Sequence, residues 1–270
     1  MDHKFDGLPI LSHATQSDAV FTAEALVDAV RGERGLQVHA VPSVCVLDFD
    51  GDLTDWMVGE GLVRPCESWA CFHTAMHVFQ IDGVECGLIA RTIGGPYAVL
   101  VAEQLAVCGA RVVLGLTSAG RVDPALPIPS IVVASRAVRD EGTSYHYLPP
   151  AETVEAPAEL PAYLVKELGE LAVPVSAGLV WTTDAPYRET AEELDAYARA
   201  GVLAVEMQAA ALFAFAEAKG FAVGVVAHVT NAVDHAGTPF DKGVDVSAWA
   251  ILQAMCRGGI GYLAARKPPL

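Results

Sequence analysis

An α/β fold built around a central, mostly parallel or mixed sheet is predicted for this chain by three observations. Short apolar runs of strand length alternate with longer amphipathic stretches along the whole sequence. The chain has 270 residues, 53% hydrophobic and 19% charged, which is ample for one large core. No internal repeat, low-complexity segment or linker interrupts it. Residues 1–270 are therefore read as a single domain, with 1–40 forming an N-terminal arm and first helix.

Residues 1–18 read as an irregular arm containing Pro9. From Ala19 to Arg31, Phe21, Ala25, Leu26, Ala29 and Val30 supply a helical stripe; Asp18 is placed to cap that helix and Gly32 to end it. Ser43 to Leu47 is a strand, and Asp48-Phe49-Asp50-Gly51-Asp52 follows as an acidic turn at its carboxyl end. Three aspartates in five residues also suit a Mg²⁺ ion, but no partner acidic motif follows downstream, and no metal or other cofactor is expected. Asp82-Gly83 signals a hairpin, with Val84 to Ala90 as its second strand. The Gly-rich turn Arg91 to Tyr97 opens a helix that runs through Leu105 and ends at Gly109. Arg111 to Leu116 is a buried strand that runs into a turn, Thr117-Ser118-Ala119-Gly120. Ser130 to Ala134 and Ala137 to Gly142 continue the sheet, Pro149 to Pro161 connects, and Leu160 to Leu171 is helical.

The stretch from Leu179 to Gln208 organises the remainder. An apolar strand delivers Thr182, Thr183 and Asp184 to its carboxyl end, where open α/β sheets bind ligands. A helix containing Asp195 and Tyr197 stops at Gly201, and the short strand Val202 to Val205 brings Glu206, Met207 and Gln208 to the same edge. Ala209 to Lys219 is a helix closed by Gly220, Ala222 to Val229 a strand ending in Thr230-Asn231-Ala232-Val233-Asp234-His235, and Val246 to Leu263 the last helix.

A formal net charge of −16 opposes binding to phosphate backbones, so no nucleic-acid partner is expected. No apolar run of 18 residues occurs and the first residues carry no apolar signal segment, so neither a membrane span nor secretion is expected. The six cysteines are scattered, without a C-x-x-C pair. Free buried thiols in a reducing cytoplasm are the expectation, rather than a disulfide framework or a zinc site.

Two pieces of the organising stretch, Thr183-Asp184-x-x-Tyr187 and Val205-Glu206-Met207-Gln208-Ala209-Ala210-Ala211, resemble the nucleoside phosphorylase / nucleosidase superfamily, whose members show an S/T-D turn followed by V-E-M-E-A-A. Thr117-Ser118-Ala119-Gly120 is similar to its G-T-x-G or G-S-A-G turn, and the likeness runs over roughly residues 40–265. It implies a three-layer α/β/α fold with a central mixed, partly barrel-like sheet. It further implies a homo-oligomeric enzyme that cleaves the N-glycosidic bond of a small nucleoside-like substrate. A neighbouring subunit's N-terminal arm, through a residue such as His13, would complete the pocket.

Carried over residue by residue, the likeness places substrate at Ser118, Ala119, Gly120, Glu206, Met207 and Gln208. Because the family's stacking phenylalanine falls on Pro186, the base platform passes to Trp181 or Tyr187, with Arg188 toward an exocyclic oxygen. Asn231 would meet the leaving base, with Asp234 as a fallback acid. The anion or nucleophile pocket would comprise Gly51, Arg91, Gly95 and Ser118, with Asp50 or Asp52 as a general base. Three departures stand out. The two arginine positions of phosphorylases hold an acid (Asp52 or Asp55, depending on register) and Gly115, and the sugar-binding glutamate is Gln208. Hydrolysis is therefore expected over phosphorolysis. A phosphorylase with a rebuilt anion site, and a diverged member with a binding or non-glycosidic role, stay open.

Overall fold

A computed structural model gives the fold and describes residues 8–233 and 245–266. Along these residues run α1 (Ala23–Arg34), β1 (Val44–Asp48), α2 (Asp52–Gly59), β2 (Arg64–Pro65), β3 (Met76–Ile81), β4 (Val84–Ala90), α3 (Gly95–Val107), β5 (Val112–Arg121), β6 (Ser130–Asp140), β7 (Thr153–Glu155), α4 (Leu160–Leu168), β8 (Val175–Thr183), α5 (Ala191–Arg199), β9 (Val202–Glu206), α6 (Ala209–Lys219), β10 (Ala222–Ala232) and α7 (Asp245–Ala265).

Five strands close into a ring, in which β5 pairs with β10, β10 with β6, β6 with β8, β8 with β9 and β9 again with β5. Closure leaves these strands no free edge. From β5 the sheet extends through β1, β4, β3 and β2. The mixed, partly barrel-like sheet implied by the resemblance is thus the one observed. Alternation along β1 sorts two layers. Cys45 and Leu47 enter a core shared with α1, α3 and α6, whereas Val44 and Val46 enter one shared with α2, α4 and α7. All five residues of β1 are buried, as helices on both faces require.

Three local expectations are corrected. The first helix starts at Ala23 because Thr22, not Asp18, caps it, its Oγ1 accepting the Ala25 N–H at 3.3 Å; it runs past Gly32 and ends at Gly35, whose φ is 63°. The acidic run is a turn only as far as Gly51, after which Asp52 opens α2. Thr117 to Gly120 is not a turn. Pairing with β10 on one side and β9 on the other keeps β5 extended to Arg121. The Asp82-Gly83 hairpin joins β3 to β4, with Ile81 opposite Val84.

Helix α6 lies deep between layers, with Ala209 through Ala216 buried. Its small side chains let α3 approach closely: a Cβ at Gly95 would fall 2.9 Å from that of Ala211. Among the described residues, no helix is long and apolar enough to cross a membrane.

Candidate active site

Strand register brings distant segments to one point. Gly120 of β5 lies opposite Val205 of β9 on one side and Asn231 of β10 on the other. On β10 the register shifts between Val229 and Asn231, a bulge of the kind that re-aims side chains beside functional sites. Thr182 at the end of β8 pairs with Glu206 at the end of β9. Around this convergence is a cavity of about 570 Å³. Asp50, Ser118, Ala119, Gly120, Tyr187, Glu206, Met207, Gln208 and Asn231 all line it, together with Ile93, Thr117, Pro186, Glu189, Val205 and Val233.

Glu206 is 4% exposed, and both its oxygens are engaged. Oε1 accepts the Thr182 hydroxyl, and Oε2 accepts the N–H groups of Gln208 at 2.6 Å and Ala209 at 2.8 Å. Thr182 Oγ1 in turn accepts the Ala210 N–H at 2.9 Å. The pair thereby satisfies the first turn of α6, where donors would otherwise lack partners. Desolvation dominates its titration, and despite these donors and with nearby Glu141 adding repulsion, burial pushes the carboxyl up to about 7. Gln208 is also buried. Its Oε1 accepts the Met207 N–H at 3.2 Å, so its Nε2 hydrogens are the end offered to a ligand. Asn231, 7% exposed, donates through Nδ2 to Thr230 Oγ1 at 2.9 Å. Tyr187, on a short helical turn at Pro186–Arg188, is fully exposed at the cavity's wall.

The loop after β1, together with Arg91, holds the residues expected to form an anion pocket. Asp50 Oδ2 accepts the Ser118 N–H at 3.0 Å, tying the loop after β1 to β5. Gly51, at φ 86°, precedes α2, and a Cβ there would fall 2.7 Å from Cγ of Arg91. Arg91 lies across this glycine and forms an ion pair with Asp55, both groups being more than half exposed. A cation therefore stands beside the glycine turn, held by the acid that occupies one of the two candidate arginine registers. The other arginine position, Gly115, is closed: a Cβ there would fall 2.7 Å from Cζ of Phe49, which is fully buried.

Several expected site residues lie outside the cavity lining. Trp181 is buried, its Nε1 donating to Asp140 Oδ2 at 2.9 Å and its ring 4.5 Å from that of Tyr197. With Arg188 it lines a separate 500 Å³ depression, so of the two proposed platforms only Tyr187 faces the cavity. Asp52 is an exposed first residue of α2. Gly95 sits where α3 meets α6, and Arg91 stands at the corner's outer side. Asp234 lies outside the described residues. His13 stacks on His146 of its own chain, with ring centroids 3.9 Å apart. Sequence reasoning missed Glu189, which lines both depressions and is half-buried. Burial, reinforced by Glu193, pushes its carboxyl up to about 7. A carboxylate between a turn and a helix cap carries no sequence pattern that marks it.

A family model described as the phosphorylase superfamily matches residues 62–255. Among curated proteins, the chain is 33% identical over 153 residues to a guanosine phosphorylase of Halorubrum lacusprofundi, a match covering 55% of this chain and 61% of that protein. It is 28% identical over 179 residues to a uridine phosphorylase of Thermococcus kodakarensis, covering 60% and 65%. It thus spans less than two thirds of the length of these relatives. A crystal structure of uridine phosphorylase from Vibrio fischeri shares the fold, with a TM-score of 0.63 and 23% identity over 81% of this chain and 86% of that one.

Proposed function

This chain belongs to the phosphorylase superfamily, and from that premise we propose that it cleaves the N-glycosidic bond of a nucleoside with water as the nucleophile. Glycosidic cleavage is supported by the convergence of Ser118, Met207, Gln208 and Asn231 on one cavity of nucleoside size. The developing sugar cation would find the carboxylates of that cavity, and the departing base would find the Asn231 amide. Met207 and Gln208 would hold the sugar, with Gln208 donating through Nε2. Tyr187 would cover the base.

The choice of water rests on a single observation, the closed Gly115 position under Phe49. No side chain of arginine length fits there. In the cavity lining, Asp50 presents a carboxylate, fixed by the Ser118 N–H, that repels a phosphate dianion and can accept a proton from water. One observation favours a second reading. Arg91 lies over Gly51, and if released from Asp55 it would offer phosphate a cation. The names of the guanosine and uridine phosphorylase relatives support that alternative.

Base release from a nucleoside panel, with and without inorganic phosphate, tests both. Hydrolysis gives free sugar at the same rate in either buffer. A strict phosphate requirement with sugar 1-phosphate as product would replace it by phosphorolysis.

A further inference from the structure

We propose that the groove between α1 and α3 is a second ligand site, for a small organic cation that carries an ammonium group on an aromatic body. The groove has a volume of about 510 Å³ and shares no lining residue with the cavity described above. One of its walls, α1, lies ahead of the residues matched to the superfamily. Phe21, Leu26, Pro96, Val99 and Leu100 line it with apolar surface. Phe21 and Leu100 are exposed there, so both walls offer area that an apolar ligand body would cover.

The polar groups of the lining are mostly acceptors. Gln104 is 1% exposed; its Nε2 donates to the Leu100 carbonyl at 3.1 Å, but its Oε1 has no partner among the described residues. A buried acceptor without a donor is costly, and what it lacks is an N–H or O–H. Glu103 Oε1 accepts the Tyr147 hydroxyl, and Glu103 Oε2 takes no hydrogen bond among the described residues. Asp184 Oδ2 accepts the Gly142 N–H at 2.8 Å. No lysine or arginine lines the groove. His146 does, but its ring stacks on His13, and burial, with His13 beside it, pushes its pKa down, so it adds no positive charge at pH 7. Two carboxylates, an unpaired amide oxygen and no cation call for a ligand that brings charge and donors together, and an ammonium brings one charge with three N–H groups.

The test is titration calorimetry on the full chain at pH 7 with 2-phenylethylammonium, and with 2-phenylethanol and 3-phenylpropionate as neutral and anionic controls of similar shape. The ammonium is expected to bind with a Kd below about 1 mM, and both controls about tenfold or more weaker. Glu103→Gln keeps the acceptor for Tyr147 but removes the charge; it should weaken the ammonium by about 10–100-fold and leave 2-phenylethanol within about threefold. Gln104→Met should also weaken the ammonium, with a melting temperature at or above that of wild type, because an unpaired buried acceptor is removed. A purely structural glutamine would lower it. Gln208→Ala, in the other cavity, should leave ammonium binding unchanged. Absence of saturable binding, equal affinity for the three probes, wild-type affinity in both E103Q and Q104M, or loss of binding in Q208A each overturns the proposal. So does a wild-type dimer, seen by equilibrium sedimentation, that Leu100→Glu splits into monomers, since that would give the groove to a second copy of the chain. None of these outcomes depends on the nucleoside reaction.

Discussion

At one end of the cavity, Glu206 and Thr182 form a closed set of hydrogen bonds with the first turn of α6. By contrast, Asp50 lines the cavity but Gly51, Arg91 and Asp55 lie outside its lining, in an open corner where the cation is exposed and paired with an acid. The first end keeps the superfamily's motif and uses it to hold the fold. The difference teaches that a stretch resembling a superfamily motif can have its charged group tied up within the fold, while an acid–base pair nearby stays open to solvent. Glu206 illustrates this most clearly, since a carboxylate with both oxygens engaged inside the protein has little left for a sugar hydroxyl.

Variants can break or sharpen this contrast. The largest effect is expected for Gly115→Arg, which drives a charged side chain into Phe49. A loss of about 3–5 kcal/mol in urea unfolding is the expected outcome. A stable G115R protein that acquires phosphate dependence would mean the corner is not closed. Next, Glu206→Ala strands two backbone donors and a hydroxyl and should cost about 3 kcal/mol, whereas Glu206→Gln should cost under about 1.5 kcal/mol.

The same residue gives a pH signature. Its carboxyl rises from the usual 4.5 to about 7 on folding, so the folded state holds the proton more tightly than the unfolded chain. That contribution is fully present below pH 4.5 and is lost as pH rises through 7, by up to about 3 kcal/mol. Chemical denaturation between pH 4.5 and 7.5 reads it, and E206Q should flatten the slope. A smaller change, a KM about tenfold lower, is expected for Gln208→Glu if the proposed sugar contact becomes a charged one. The smallest is the stability of Asp55→Asn, within about 1 kcal/mol of wild type because the ion pair is exposed. Its informative readout is phosphate stimulation of base release, which the freed Arg91 should introduce.

Much of this was legible beforehand where the signal is local. The hairpin at Asp82-Gly83, the strand from Val84 to Ala90 and the helix closed by Gly220 follow from turn chemistry and apolar patterning alone. The cavity residues Ser118, Met207, Gln208 and Asn231 were reachable because motifs at strand ends meet in this fold class. What stayed hidden is non-local. Thr117 to Gly120 looks like a turn until β9 and β10 are known to pair on either side of it. Trp181 looks like a stacking platform until Asp140 and Tyr197 turn it into the core. Nothing in the sequence near Gly115 reports Phe49, and nothing near Arg91 reports Asp55, because each pair is made by the fold across the sheet's carboxyl end.

The most direct measurement is the product formed from a cleaved nucleoside in phosphate-free buffer. Free pentose and free base in equal amounts, at a rate that added phosphate leaves unchanged, is the expected result. Release of base only after phosphate is supplied, with all of the sugar recovered as its 1-phosphate, would contradict it.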